Sequence, residues 1–412
     1  MMIKNLFNAS PQKIKYGLER THRMLKACGL QENNYLKIQI VGTNGKGTVA
    51  AFLSKILFDA GIKVGTYSSP HLIKINERIQ INGKQIDDLY IENFLSTYNN
   101  QIDKISPSFF EIMTVLSIWY FNIKKVDIAI METGLGGRLD SVTACDNQIV
   151  LFTSISMDHH DILGNTLEKI TKEKAGAILN NKQICISVCQ ENKVKKILSK
   201  AAENHKNKIT ILNTTKKNKQ QKFRYLYGTH QEENANLAQE TIKAINGLKK
   251  TKIKQKQIYN SLYNTHWYGR FQIIYQNPKI IYDVAHNKAS LQSFINSFIN
   301  YTQNKAYKKK HLICAFESNK KILTFLRKYE KYFDNIICTE TKIRSSMCSN
   351  KIAKIFLKKQ NIKKTTNINN AIAYTLTNST KKDIIAIIGS HFIAPSLNRV
   401  FKNCFDTKNK EY

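Results

Sequence analysis

A lysine held between two glycines and followed by a hydroxyl is an unusual way to build a plain turn, and Gly42-Thr43-Asn44-Gly45-Lys46-Gly47-Thr48 has that make-up. Such a loop gathers backbone N–H groups, an ammonium and a hydroxyl around one point, which suits a nucleotide phosphate, so ATP is the expected ligand. Glycine allows the tight turn and the close approach of backbone to anion. The strict G-x-x-x-x-G-K-[ST] pattern is not met. Gly47 separates Lys46 from Thr48, and the first glycine stands nearer the lysine than that pattern requires.

Further clusters carry chemistry beside this loop. Tyr67-Ser68-Ser69-Pro70-His71-Leu72, followed by Asn76-Glu77-Arg78-Ile79, offers a hydroxyl at Ser69 that reaches a metal or phosphate, or else simply holds a turn before proline. Glu132, at the end of an apolar run and before Gly134, Gly136 and Gly137, is the leading carboxylate for magnesium. His159, in Ser156-Met157-Asp158-His159-His160-Asp161, completes a metal site or serves as a hydrogen-bonding scaffold. Lys174 sits in the otherwise apolar helix end Ala175-Gly176-Ala177-Ile178, where a lysine ordinarily snorkels to solvent.

The elements that must position these groups alternate between short apolar strands and helical patterns, the signature of parallel sheets with crossover helices. Strands are expected at 37–42, 63–67, 126–131, 148–154, 183–187, 209–212, 271–275, 279–283, 311–315, 335–339 and 383–388. Helices are expected at 46–60, 88–103, 109–122, 166–179, 190–204, 232–246, 254–263, 288–301, 319–331, 349–359, 367–378 and 391–401. At 412 residues two domains are expected, joined near 266: 1–265 and 266–412.

A net charge of +34 invites a nucleic-acid reading. The excess is almost all lysine, with nine arginines, and it runs along the whole chain with isoleucine and asparagine. All three have A/T-rich codons, so compositional drift accounts for the charge and no specific nucleic-acid partner is expected. The runs Lys216 to Lys222 and Lys308 to Lys310 read as solvated segments. Nothing resembles a signal peptide or a membrane span, so a cytoplasmic protein is expected. The eight scattered cysteines read as reduced, mostly buried thiols.

GTNGKGT, SSPHL with NERI, ETGLGGRLD, SISMDHHDILG, EKAGAI, GTHQEENA, GRFQ and DVAHN occur in one order. Together they resemble the folylpolyglutamate synthase and dihydrofolate synthase family of Mur-type ligases, over most of residues 16–300. The resemblance implies an α/β fold: a P-loop Mur-ligase-type ATPase domain with a parallel-rich sheet, plus a smaller C-terminal Rossmann-like α/β domain for glutamate ligation. It implies ATP and magnesium as cofactors, with a monovalent cation as a further candidate. The implied substrates are dihydropteroate or reduced folates and L-glutamate, and a monomer is expected. ATP phosphorylates a carboxylate, the amine of glutamate attacks the acyl phosphate, and phosphate departs.

By the same resemblance, Gly42, Thr43, Asn44, Gly45, Lys46, Gly47 and Thr48 cradle the nucleotide, with Lys46 neutralising phosphates. Thr48, Ser69 and Glu132 lie at magnesium, and His159 completes a metal site. Lys174 corresponds to a lysine carbamylated by carbon dioxide, which converts a cation into a carboxylate-like ligand. Gln231 and Asn234 meet adenine, while Arg270, Asp283 and His286 reach the nucleotide from the second domain, with closure on binding. The loop Gly137 to Asp140 lies near the pterin.

Departures from the pattern are Thr48 for serine, Val284 for glycine, Lys288 for proline, and Cys314 to Lys321 in place of small residues and an Asp-Lys-Asp turn. The last clouds the glutamate contacts of the second domain. Joining glutamate to dihydropteroate and extending reduced folates use the same nucleotide site, and the compact chain favours the enzyme that does both. Rival readings are a member with one activity, another Mur-type amino-acid ligase such as a peptidoglycan or cyanophycin-like synthetase, and a nucleotide-dependent binding module without catalysis.

Overall fold

A computed structural model of the chain describes residues 17–31, 35–213, 222–249, 251–317, 323–341, 343, 345–357, 361–402 and 404–405. It divides into two compact units, residues 1–224 with 231–265, and residues 225–230 with 266–412. Of the lysine run at 216–222, all but Lys222 lies outside the described residues, as does the start of the helix expected at 319–331.

The first unit is built on an eight-stranded sheet. Its strands are β1 (Leu36–Val41), β2 (Val64–Tyr67), β3 (Ile79–Ile81), β4 (Lys84–Gln85), β5 (Ile128–Glu132), β6 (Ile149–Phe152), β7 (Ile184–Ser187) and β8 (Ile209–Ile211). Their spatial order is β4-β3-β2-β5-β1-β6-β7-β8, parallel from β2 to β8, with β3 and β4 added antiparallel at one edge. Helices α1 (Glu19–Ala27), α2 (Lys46–Asp59), α3 (Asp88–Thr97), α4 (Asn99–Ile105), α5 (Phe109–Ile123), α6 (His160–Leu163), α7 (Leu167–Ala175), α8 (Asn192–Asn204), α9 (His230–Lys249) and α10 (Gln255–Asn264) complete it. Because β1 lies between β5 and β6, the chain reverses its direction of travel across the sheet there, and the loop after β1 opens at that switch point.

Leu36-Lys37-Ile38-Gln39-Ile40-Val41 alternates as a half-buried strand would, yet β1 is buried throughout. Its polar residues are satisfied internally: Gln39 donates to Thr133 Oγ1 and Thr143 Oγ1 at 3.2 and 2.7 Å, and the Lys37 ammonium lies 5.3 Å from the Tyr35 ring. The apolar face of α2, Val49 to Leu53 with Ile56 and Leu57, is wholly buried. α5 begins at a capping box in which Ser108 Oγ accepts from Glu111 N and Glu111 accepts from Ser108 N at 2.6 Å. It packs so closely on β2 that a Cβ at Gly65 would stand 2.7 Å from the Phe121 ring.

The second unit carries a six-stranded sheet of β9 (Gln272–Gln276), β10 (Lys279–Asp283), β11 (Lys310–Cys314), β12 (Asn335–Cys338), β13 (Ile362–Lys364) and β14 (Ile384–Ile388). The order is β13-β12-β11-β14-β10-β9, parallel except for the edge pair β9 and β10. Helices α11 (Lys288–Gln303), α12 (Leu323–Leu326), α13 (Ser349–Ala353), α14 (Ile368–Thr377) and α15 (Ala394–Val400) accompany it. Ile281, Leu312, Ile336 and Ala386, one from each of four neighbouring strands, meet Phe294, Ile295 and Phe298 of α11 in its core.

Several expectations are corrected. The helix at 88–103 is two helices broken at Tyr98. Among the described residues of the helix expected at 319–331, the chain forms α12 and then a 3-10 segment at Arg327–Tyr332, where buried Glu330 accepts the Leu357 N–H at 3.0 Å. Among the described residues the segment 349–359 forms α13, and the sequence pattern does not anticipate α1 or the hairpin β3–β4. Thiols buried outright are Cys145, Cys185, Cys314 and Cys338, while Cys348 is exposed. Among the described residues no helix is long and apolar enough to cross a membrane.

Candidate functional site

The loop between β1 and α2 is stitched to the strand end beside it. Thr43 N donates to Ser154 O at 2.9 Å, and Thr43 Oγ1 both donates to Ser156 O and accepts from Ser156 N at 3.0 Å. Gly42, with φ +154°, lies where a Cβ would collide with Thr153. Gly45, with φ +94°, starts α2 without any side-chain cap, so the first-turn N–H groups around Lys46, Gly47 and Thr48 are left for an anion. A Cβ on Gly45 would strike Asn234. Asn234, in turn, donates to Gln231 Oε1 at 3.1 Å, and both side chains are buried at the start of α9. The loop, Gln231 and Asn234 are therefore one packed assembly.

Lys46 folds back, donating to Gly42 O and Thr43 O at 3.1 and 3.3 Å. Lys174, near the end of α7, reaches the same Gly42 carbonyl at 2.9 Å and is only 5% exposed. The snorkelling expectation for Lys174 is thus overturned: Gly137 lets the backbone of α7 approach, since a Cβ there would lie 2.5 Å from Lys174 O, and the lysine turns inward. Burial, aided by the Lys46 ammonium, pulls the Lys174 amine down to about 7, against the opposing influence of Asp158 and Asp140.

Around these lysines lies a cavity of about 20 Å³ lined by Gly42, Thr43, Lys46, Gly134, Asp158, His159 and Lys174. His159, with φ +49°, has its ring 4.0 Å from Asp158, whose other oxygen accepts the His159 N–H at 2.9 Å.

Glu132, at the end of β5, is 4% exposed and accepts from Ser69 N at 3.1 Å. The pair adjoins the cavity, for a Cβ on Gly134 would lie 3.9 Å from Ser69 Oγ. Among the described residues no three His, Cys, Asp or Glu side chains form a metal cage. Magnesium needs none: one carboxylate and the hydroxyls of Ser69 and Thr48 are hard oxygen donors, and nucleotide phosphates supply further ligands. The donor chemistry therefore fits that ion.

In the second unit Asp283, at the end of β10, accepts from Phe271 N and Ala285 N at 2.7 and 2.8 Å. Burial raises its carboxyl above the usual range while Arg270 opposes the shift. Arg270 donates to Gly269 O at 3.1 Å, and the His286 ring nitrogen Nδ1 lies 2.9 Å from Val284 O. Arg270, Asp283 and His286 thus share one neighbourhood. His230 joins them, drawn down to about 4 by burial and by Arg270.

Two aspartates are prominent in the structure although neither was expected to bind a ligand itself, Asp140 having been placed only in a loop near the pterin. Asp158 is buried beside Lys174, and Asp140 binds Gly134 N, Leu135 N and Val142 N at 2.9–3.0 Å, fixing the glycine loop. The signal for both was their place inside the recognised motifs.

Family models for the Mur ligase middle domain and for the Mur ligase glutamate ligase domain match residues 40–273 and 269–391. The dihydrofolate synthase/folylpolyglutamate synthase of Bacillus subtilis is 32% identical over 306 residues, covering 68% of this chain and 71% of that one. The Escherichia coli protein of the same name is 31% identical over 294 residues, with 68% of each covered. Among solved structures, Mycobacterium tuberculosis folylpolyglutamate synthase complexed with ADP superposes with a TM-score of 0.87 at 21% identity, covering 97% and 98% of the two chains. The Thermotoga maritima folylpolyglutamate synthase gives 0.80 at 28% identity, covering 97% and 96%.

Proposed function

Since the chain belongs to the dihydrofolate synthase/folylpolyglutamate synthase family of Mur ligases, we propose that it activates the carboxylate of a pterin acid with ATP and joins it to the amino group of L-glutamate. Related enzymes carry both names, and the same chain is assigned both reactions, with dihydropteroate and with reduced folates as acceptors. The observation that carries this reading is the buried Lys174 amine, bonded to the carbonyl of the phosphate loop beside Lys46.

The first-turn N–H groups of α2 and Lys46 bind the phosphates, and Gln231 with Asn234 hold the adenine side. Thr48, Ser69 and Glu132 hold magnesium, which when bound offsets charge on the transferring phosphoryl group. His159 and carbamylated Lys174 complete the metal-binding set. Carbamylation requires a neutral amine, and an amine near 7 is neutral in a large fraction of molecules at cellular pH. In the second unit, Arg270, Asp283 and His286 are assigned nucleotide contacts, and a monovalent cation is a further candidate cofactor.

ATP transfers its terminal phosphoryl group to the acid, giving ADP and an acyl phosphate. The glutamate amine attacks the acyl carbon, loses its proton, and the amide forms as phosphate leaves. Purified protein given ATP, magnesium and glutamate, with dihydropteroate or tetrahydrofolate, should yield a pterin product heavier by one glutamyl residue. ADP release independent of either pterin or glutamate would reject the assignment.

A further inference from the structure

The Asn76-Glu77-Arg78-Ile79 run has no part in the chemistry described so far, yet the structure uses each of its polar residues. Asn76 bridges Ile86 O and Asp88 at 2.8 and 2.7 Å. The Glu77 carboxylate accepts the N–H groups of Leu72, Ile73 and Lys74 at 2.7–2.8 Å, which uses its charge to pin the turn after His71. Arg78 is different. Its carbonyl accepts Ser68 N at 2.9 Å, so it stands level with the end of β2, and β2 pairs with β5 just before Glu132. Ser69, Arg78 and Glu132 therefore lie at three neighbouring strand ends.

The Arg78 side chain is 6% exposed. Nε donates to His71 Nδ1 at 2.9 Å, and the guanidinium carbon lies 5.4 and 5.9 Å from the ring centres of Phe109 and Phe110. Tyr67 hydrogen-bonds the guanidinium and Glu132 and Glu77 face it electrostatically, but Nη1 itself is buried and has no hydrogen-bond partner. A buried guanidinium nitrogen without an acceptor forfeits stability and needs an explanation. Glu77 spends its carboxylate on three backbone donors and Glu132 accepts from Ser69 N, and neither is hydrogen-bonded to Nη1. Phe110, one of the two covering rings, is 44% exposed, so this side of the guanidinium lies near solvent.

We propose that Arg78 Nη1 is the donor for the carboxylate of the pterin acid, the group that ATP activates. This rests on the ligase reading given above and adds a substrate-binding residue to it. A planar guanidinium held by His71, Tyr67 and two phenyl rings keeps the unpartnered Nη1 in a fixed place, which suits an incoming carboxylate oxygen.

The test compares binding of pteroic acid and of its neutral carboxamide by titration calorimetry to the full chain, wild type, Arg78→Gln and Arg78→Lys. Wild type should prefer the acid, and Arg78→Gln should lose about 10- to 100-fold in affinity for the acid, the worth of a charge-assisted hydrogen bond. Binding of the carboxamide and the KM for ATP should stay within about twofold, and Arg78→Lys should keep part of the preference. Equal losses for acid and carboxamide, or a raised KM for ATP with the preference intact, would overturn the role. Dihydropteroate turnover by the wild type is followed separately. A wild type that binds neither pterin removes the ligase reading and this inference with it, whereas normal turnover with an unchanged preference in Arg78→Gln removes this inference alone.

Discussion

At the residue scale the account depends on charge placed where water is scarce. Lys46→Ala or Glu132→Ala should lower turnover by about 100-fold or more, because the first removes a positive charge that offsets the transferring phosphoryl group and the second removes a carboxylate assigned to hold the magnesium that does so. Circular dichroism should show both variants folded, and a near-normal rate in either would contradict its role. Lys174→Ala should be inactive and partly restored by short-chain carboxylic acids that replace the carbamate. The sign of the pH effect follows from the depressed amine. Below about 7 the ammonium dominates and carbon dioxide finds little neutral amine, so carbamylation should fall as pH drops through 7 and rise above it. Intact-mass measurement of one added carbon dioxide across that range checks this. The residue types were legible in the sequence because a glycine-flanked lysine and a glutamate before a glycine loop are rare patterns. Their partners were not. Nothing local in Glu173-Lys174-Ala175 says that Lys174 turns inward to Gly42, 132 residues away, since that follows from how closely α7 packs on Gly137.

At the element scale the decisive feature is the start of α2. Gly45→Ala places a side chain at φ +94° and against Asn234, and should destabilise the protein by about 1–2 kcal/mol while weakening nucleotide binding. Gly247→Ala, inside α9 with nothing within 4 Å of the new methyl group, should instead stabilise by about 0.5–1 kcal/mol. Chemical denaturation of the two variants measures both, and equal effects would contradict the packing described at Gly45. Most strands and helices could be read from periodicity, since β1, β5, β6, β10, β11 and β14 are short apolar runs between helical patterns. The failures have physical causes. α1 is a short helix of three turns at most, β3 is held by pairing to β2 and β4 by pairing to β3 rather than by their own pattern, and the 3-10 segment at Arg327–Tyr332 holds a buried Glu330 that no local signal reveals.

At the scale of the whole molecule, two parallel-rich sheets each present loops at the carboxyl ends of their strands, and the assigned groups are divided between them. The composition was less informative than the motifs: 64 basic residues against 30 acidic ones suggest a polyanion partner, while the ordered motifs point to a nucleotide and a pterin acid. One nucleotide site serving two acceptors means that Lys46→Ala should abolish dihydropteroate and tetrahydrofolate turnover together. Loss of only one activity would separate the two sites. The central claim is that the acid is made electrophilic by phosphorylation before glutamate attacks. Dihydropteroate carrying heavy oxygen in its carboxylate, turned over with ATP, magnesium and glutamate, tests it directly. One labelled oxygen should appear in the released phosphate for each amide formed, and phosphate free of label alongside normal product would contradict the account.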